Sequence, residues 1–564
     1  MKTNEFRSRL YAAVALLGVL SLSIALLNGF YVASYEGVDE NGCMGTARRL
    51  AVHGDPAKRT SDPYEYVSEN VVQVGENVFY AKYPIGYPAL CALAYKLAGS
   101  DAAFLVNPVL AVLAVAGIFF LGRAMFGNIV GAFAAILLTV NPLTAFYGLS
   151  ARTHTGALCF AVWGMFFVWR WAERGGWANA ALAGAVTAYA STVRYTEALL
   201  VLPVCAMVVW RSVEQRRKTA VDQRRTMCRQ IVNEVLVMAA AALVTVTPLL
   251  IHHYVAYGAP WRTGYALCGE DTGFGWAWFK ANWELMLTRL DTGALFLIFP
   301  VGLAGICSLI GQQPKRGSFL ASWAFPSILL YTAYYWAPQG EGPSYMRFFL
   351  SVFPALILGA FGVLCPPERL RPWTSVCVGC FVGVVAVWNL QAGQLLPNLE
   401  MQRDRLLRDK IMTDLVRRNV PSGSVILATG STLNTVEYAG DYHLYSQQVF
   451  TRDWVRRRLS VLKDNDPHPF QRDKALALER LLGDKTDAQL AGLQREVLAQ
   501  HLAAERAVAV ICTKAEFGIW RGRLGDQFKW KPIAEWVEVQ NASTAGLLPK
   551  PQCTSWGLYS VTLR

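Results

Sequence analysis

The feature that most restricts the fold of this chain is a series of eleven apolar runs, each bounded by charged or turn-forming residues. A hydrocarbon core takes about 20 mostly apolar residues in helical form, because lipid offers no hydrogen-bond partner to backbone N–H and C=O groups. The runs are Tyr11–Tyr31, Ala102–Leu121, Ile129–Tyr147, Thr155–Trp169, Ala178–Val193, Tyr195–Trp210, Val235–Tyr254, Ala294–Ile310, Phe319–Trp336, Phe348–Leu364 and Trp373–Leu390. The fifth and sixth are also compatible with one broken span. The first is long and lacks a small-residue cleavage pattern, so it reads as an uncleaved anchor and not as a signal peptide. With 54% hydrophobic and only 16% charged residues, the composition excludes a soluble enzyme.

The formal charge of +13 sits in short segments between the runs. It does not form one basic face, so nucleic acid is not an expected partner and the bilayer is. Short cytoplasmic loops concentrate Lys and Arg. Lys2, Arg7 and Arg9, then Arg123, Arg170 with Arg174, the Arg211 to Arg229 segment, Lys315 with Arg316, and Arg369 with Arg371 each follow an even number of crossings. This places the N-terminus inside and three regions outside: loops 32–100 and 255–293, and everything after Gln391. Within the first loop, Ile85–Leu97 is too short to cross and reads as re-entrant or interfacial.

After Gln391, helical patterns (Lys474–Leu482, Ala488–Leu502) alternate with β-type runs (Ser424–Ala428, Ala507–Cys512). The expected fold class is therefore a polytopic α-helical membrane protein of about eleven transmembrane helices, residues 1–392, followed by a soluble extracytoplasmic α/β domain, residues 393–564. Cys377 and Cys380 form a CxxC inside an apolar run and read as small packed residues. Cys512 with Cys553, and Cys43 with Cys268, are candidate pairs on the outer side.

Ionisable groups beside membrane spans are functional candidates because they are costly to place there. They gather at the outer face. Asp39 and Glu40 follow the first span and open a segment in which Met44, Ala47 and Leu50 recur at helical spacing, as in an amphipathic surface helix. Asp39 is either the N-cap of that helix or a general base that takes the proton of an attacking hydroxyl, with Glu40 orienting it or binding a hard cation. Lys82, Arg152, His154, Arg194 and Arg347 lie near outer span ends, where a positive group either snorkels to the interface or holds a phosphate, which the Arg fork suits. Arg194 and Glu197 share a helix side and are candidates to neutralise each other. Glu341 and Tyr345, in the GEGPSYMRFF segment before Arg347, read as a site wall. Trp276, Trp278, Trp283, Tyr334, Tyr335 and Trp336 read as an aromatic belt, and His252 and His253 as residues packed at a helix end.

These features resemble the GT-C superfamily of polytopic glycosyltransferases, especially the protein O-mannosyltransferases and the bacterial lipid A aminoarabinose transferases. The matching segments are Asp39–Glu40 after the first span, YPIGYPAL (Tyr83 to Leu90), LGRAMFG (Leu121 to Gly127), VRYTEALLVLP (Val193 to Pro203) and YMRFFLSVFPALIL (Tyr345 to Leu358). The resemblance implies a polyprenyl-phosphate sugar donor, with Asp39 in the place of the family's catalytic carboxylate and Arg347 and Lys82 facing the donor phosphate. Inverting displacement is the expected chemistry, with Arg194 and Arg152 as further phosphate contacts. A lipid, glycan or protein acceptor fits, as does a bacterial inner membrane. No cofactor is fixed by these residues; Mg²⁺ or Mn²⁺ stays open. The rival class is a secondary transporter or flippase of a lipid-linked or anionic substrate, whose usual sign, two corresponding halves with broken helices, is not seen in the sequence.

Overall fold

The computed structural model describes residues 2–35, 37–68, 70–268, 273–337, 343–364, 372–447, 451–452, 455–456, 479–540 and 552–563. The chain divides into two compact units: 1–32, 84–262 and 272–403 in the first, and 33–83, 263–271 and 404–564 in the second. The division does not follow a single cut at residue 392. The segment that carries Asp39 and Glu40 belongs to the same unit as the tail.

The first unit is helical, and all eleven apolar runs fall in helices. Among the described residues seven helices are long and apolar enough to cross a membrane, and nine if each sharply bent pair is one span. The remaining two runs are also helical, Trp177–Val193 with 17 residues and Pro314–Thr332 with 19, the latter opening on Pro, Lys and Arg. Asn128–Thr139 and Pro142–Leu149 form one of the bent pairs, at 62°. Pro142 supplies no N–H and disfavours helix at the residue before it. Asn141 therefore leaves the helix and caps the next one through a bond from the Thr144 amide at 3.0 Å.

The fifth and sixth runs are separate elements. Trp177–Val193 ends at Arg194, whose backbone is extended, and a short 3₁₀ turn Tyr195–Leu200 leads into Val201–Lys218. The Ile85–Leu97 stretch forms a 13-residue helix, Gly86–Ala98. At 1.5 Å per residue that is about 20 Å, short of a bilayer.

Leu243, Val244, Ile251 and Val255 are exposed along the Arg224–Tyr257 helix, an apolar surface of the kind that meets lipid. Close helix contact depends on small residues. A Cβ at Gly184 would lie 2.0 Å from the Met238 carbonyl oxygen, and one at Gly305 would lie 2.1 Å from that of Gly359. Near the Arg-rich segment that the charge pattern places inside, buried Arg211 meets buried Glu234 at 3.1 Å, and Trp171 Nε1 donates to the same carboxylate at 2.9 Å. Lys315 lies 2.8 Å from both Glu173 and Glu214. His253 is buried at a helix end, as expected, between the Tyr195 hydroxyl (2.8 Å) and the Pro260 carbonyl (3.1 Å). Cys380 is exposed.

The second unit contains two sheets. Strands β1 (Lys58–Arg59), β2 (Val71–Gly75) and β3 (Val78–Ala81) form a small antiparallel sheet in the order β1-β3-β2. Strands β4 (Val425–Ala428), β5 (His443–Ser446), β6 (Val508–Thr513), β7 (Phe528–Gln540) and β8 (Gln552–Leu563) form a sheet in the order β5-β4-β6-β8-β7. β4 pairs in parallel with β5 and β6, while β8 is antiparallel to β6 and β7. All four residues of β4 are buried. Val425 and Leu427 join Val510 and Val561 in one cluster, while Ile426 and Ala428 join Leu433 and Ile511 in another, so both faces of the sheet are covered.

The expected helix Ala488–Leu502 appears as Asp487–Ala503, with a Thr486–Gln489 capping box. Most of the expected Lys474–Leu482 helix lies outside the described residues. Cys512 is a free thiol, and Cys43 and Cys268 are buried thiols; the Cys553 side chain lies outside the described residues.

Candidate active site

Asp39 and Glu40 open the helix Val38–His53. Asp39 is not its N-cap. That position is held by Gly37 at φ 94°, a conformation that glycine adopts without steric cost, and no side chain caps the helix. The expected surface helix is instead largely buried from Glu40 to Arg48. Its polar side chains meet protein: Asn41 bonds Glu437 at 2.8 Å and Arg48 bonds Asp441 at 2.6 Å.

The two carboxylates differ. Glu40 is buried, whereas Asp39 is half-buried and held in place by two donors, the Tyr83 hydroxyl at 2.7 Å and Asn70 Nδ2 at 3.1 Å, both to Oδ1. Tyr83 reaches this position because residue 42 is glycine: a Cβ there would lie 2.8 Å from its ring. Burial first, and then the charge of Asp39, push the Tyr83 hydroxyl well above the ordinary tyrosine range, so it stays a donor. The Lys82 ammonium lies 5.7 Å from the Tyr83 ring centroid and 5.9 Å from that of Tyr265, and the two rings meet edge to face at 6.1 Å.

In the first unit, three of the expected cationic residues, Arg194, Arg347 and His154, converge around Phe348, and Arg152 lies beside them on Tyr147. Arg194, at the extended break after Val193, donates through Nη1 to His154 Nε2 at 2.8 Å and through Nη2 to the Tyr331 hydroxyl at 2.8 Å. Its guanidinium carbon stands 5.0 Å from the Phe348 ring centroid, and that of Arg347 stands 5.1 Å from the same centroid. Arg347 also donates to Ser344 Oγ at 3.0 Å and lies 5.4 Å from the Trp336 ring. The His154 ring is 5.4 Å from Phe348 and 5.6 Å from Tyr147, over which the Arg152 guanidinium sits at 5.9 Å. All three arginines are within electrostatic range of His154.

Guanidinium can only donate, so His154 Nε2 is the acceptor and the ring proton is on Nδ1. This buried N–H has no partner among the described residues. Arg194 bonds His154, Tyr331 and Thr153, and buried Glu197, three residues on, is within electrostatic range of Arg194 and bonded to Ser351. Tyr345 is fully buried, with its hydroxyl on the Tyr331 carbonyl and its ring 5.1 Å from Phe348. Glu341 lies outside the described residues.

Trp276, Trp278 and Trp283 are exposed, as belt residues are, whereas Trp336 packs on Tyr345 at 5.7 Å. Sequence reasoning missed Asn70, Tyr83 and Tyr331 as neighbours of the candidate groups. Tyr83 opens the YPIGYPAL segment and was within reach, but Asn70 and Tyr331 carry no local signal. Among the described residues, no group of three or more His, Cys, Asp or Glu side chains is placed to hold a metal ion.

Residues 82–252 match the protein family described as Dolichyl-phosphate-mannose-protein mannosyltransferase. That segment contains Lys82, Arg152, His154 and Arg194. No curated protein matches the chain in sequence. Among solved structures, ArnT from Cupriavidus metallidurans bound to undecaprenyl phosphate is similar at a TM-score of 0.51 and 11% identity, over 97% of this chain and 98% of that one. Its apo state is similar at 0.51 and 11%, over 98% of each chain. The apo oligosaccharyltransferase of Archaeoglobus fulgidus gives a TM-score of 0.47 at 11% identity, over 90% of this chain and 70% of that one.

Proposed function

Because this integral membrane protein carries the GT-C fold of the polytopic glycosyltransferases, we propose that it moves a sugar from a polyprenyl-phosphate donor to a hydroxyl acceptor at the outer face of the membrane. The observation that carries this reading is the convergence of Arg152, Arg194 and Arg347 on His154, whose buried Nδ1–H has no partner among the described residues. So much positive charge among apolar helices suits an anion. The similar ArnT structure holds undecaprenyl phosphate, which supports a polyprenyl phosphate as that anion here.

In the reaction, the acceptor oxygen attacks the anomeric carbon while its proton passes to Asp39. The bond from that carbon to the phosphate oxygen breaks, and its electron pair leaves with the polyprenyl phosphate. The donor is a phosphodiester with one negative charge, and the released monoester gains a second. Arginines at the leaving phosphate therefore bind the transition state more tightly than the donor, and this difference is what accelerates a reaction. Asp39 serves better as base than Glu40 because it is the more accessible of the two, and Tyr83 and Asn70 hold it in one orientation. Lys82, on two aromatic rings in the same unit, is a further candidate for a phosphate contact.

The test uses the detergent-solubilised chain with a panel of polyprenyl-phosphate sugars, an envelope extract as acceptor, and Mg²⁺ or Mn²⁺ present or absent. The parent is expected to consume one donor. Asp39→Asn should lower that turnover to a small residual rate while keeping the affinity for undecaprenyl phosphate, and Arg347→Ala should weaken that affinity. Consumption of no donor would overturn the glycosyltransferase reading in favour of transport, and full turnover by Asp39→Asn would remove Asp39 from the chemistry.

A further inference from the structure

The helix Val38–His53 begins without a side-chain cap, so little in its own sequence determines where its first turn lies. What grips it comes from residues almost four hundred positions later, within the same unit. Glu437, just after the short helix Gly430–Val436, accepts from Asn41 Nδ2 at 2.8 Å through one carboxylate oxygen. Its other oxygen takes Arg49 Nη1 at 2.7 Å and lies 3.3 Å from Lys58 Nζ.

These groups are almost shut off from water: the side chains of Glu437, Arg49 and Lys58 are 10%, 12% and 8% exposed. Asn434 adds a second hold, its Oδ1 accepting from Asn41 at 3.3 Å and from the Tyr66 hydroxyl at 2.9 Å, and its carbonyl accepting from the Tyr35 hydroxyl. Arg48 is tied to Asp441 at 2.6 Å. Low-dielectric, multiply bonded carboxylate contacts of this kind hold geometry tightly. Asn41, which Glu437 grips, is two residues from Asp39 and follows Glu40 directly.

We propose that Glu437 is a positioning residue for glycosyl transfer: through Asn41 and Arg49 it sets the first turn of the carboxylate helix and so the placement of Asp39. The tail of the second unit thereby has a part in the chemistry without touching the substrate. This inference rests on the reading of Asp39 as the base.

A misplacement of about 1 Å at a reacting group costs up to about a hundredfold in rate. Glu437→Gln keeps length and volume but removes the charge that Asn41, Arg49 and Lys58 share. With the polyprenyl-phosphate sugar that the parent consumes, it should lower kcat about tenfold to a hundredfold while leaving KM for the donor within about twofold. The decisive comparison is in the Asp39→Asn background, where adding Glu437→Gln should leave the residual rate within about twofold, because a positioning residue has nothing left to position.

An unchanged kcat for Glu437→Gln overturns the proposal, and so does an equal loss in both backgrounds, the mark of a merely structural role. If Glu437→Gln does not fold, Asn41→Ala is read in the same way, since it leaves Glu437 with Arg49 and Lys58. Full activity of Asp39→Asn would sink the base reading and this inference together. Loss of activity in Asp39→Asn beside an unaffected Glu437→Gln would sink the positioning role alone.

Discussion

Asp39 and Glu40 are adjacent in sequence and chemically alike, yet Asp39 is half-exposed and bonded by the Tyr83 hydroxyl while Glu40 is buried. Nothing local distinguishes them, because accessibility is set by what folds over each side chain. The contact with Tyr83 offers a direct test. Tyr83→Phe keeps the ring that packs against Gly42 and Tyr265 but removes the donor to Asp39. A hydrogen bond to a charged group contributes about 1.5–3 kcal/mol, so kcat should fall roughly tenfold to a hundredfold. Steady-state rates with the preferred donor read this, and an unchanged kcat would show that Asp39 needs no orientation from Tyr83. The expected cationic residues Arg152, His154, Arg194 and Arg347 were legible one by one as charges at span ends. Their grouping around Phe348 and Tyr147 was not, since it depends on contacts between residues far apart in the chain, such as His154 with Phe348, 194 positions on.

Among the elements, the Val38–His53 helix shows how a pattern can be right about conformation and wrong about surroundings. Met44 and Ala47 are buried, as their spacing required. The opposite side was expected to face water, but a polar helix face looks the same in sequence whether it meets solvent or a polar protein surface. Here it meets Asn434, Glu437 and Asp441. Burial pushes the Glu437 carboxyl up, but Lys58, Arg49 and Asn41 outweigh it and bring it from an ordinary 4.5 down to about 2.

A carboxyl depressed in the folded state contributes stability above its unfolded pKa and loses that contribution as pH falls toward the folded one. The shift corresponds to roughly 3 kcal/mol. The difference in Tm between the parent and Glu437→Gln should therefore be full above about pH 5 and shrink steadily between about pH 4.5 and pH 2. A difference that does not change over that range would mean that the ion cluster is not what Glu437 contributes.

At the scale of the whole chain, topology is the quantity to measure. The charge pattern puts the Arg211 to Arg229 segment in the cytoplasm and the tail outside. Ser431 and Gln223 are exposed positions in these two regions. In intact cells a membrane-impermeant maleimide should label Ser431→Cys and spare Gln223→Cys, and lysis should make the second reactive. Labelling of Gln223→Cys before lysis would invert the assigned orientation. The exposed native thiols Cys205, Cys307 and Cys380 all lie in helices of the apolar runs, where a charged reagent reaches poorly.

The sequence by itself determined that this is a membrane protein, where its helices run, which segments carry the charge and that the tail mixes helix and strand. Each of these depends on local composition and on a repeat of two or 3.6 residues, which the chain displays without folding. Only the tertiary structure decided that the segment bearing Asp39 joins the tail in one unit, that Tyr83 and Asn70 hold this carboxylate, and that three arginines gather around one histidine. These are contacts between residues distant along the chain, and they exist only once packing has brought their elements together.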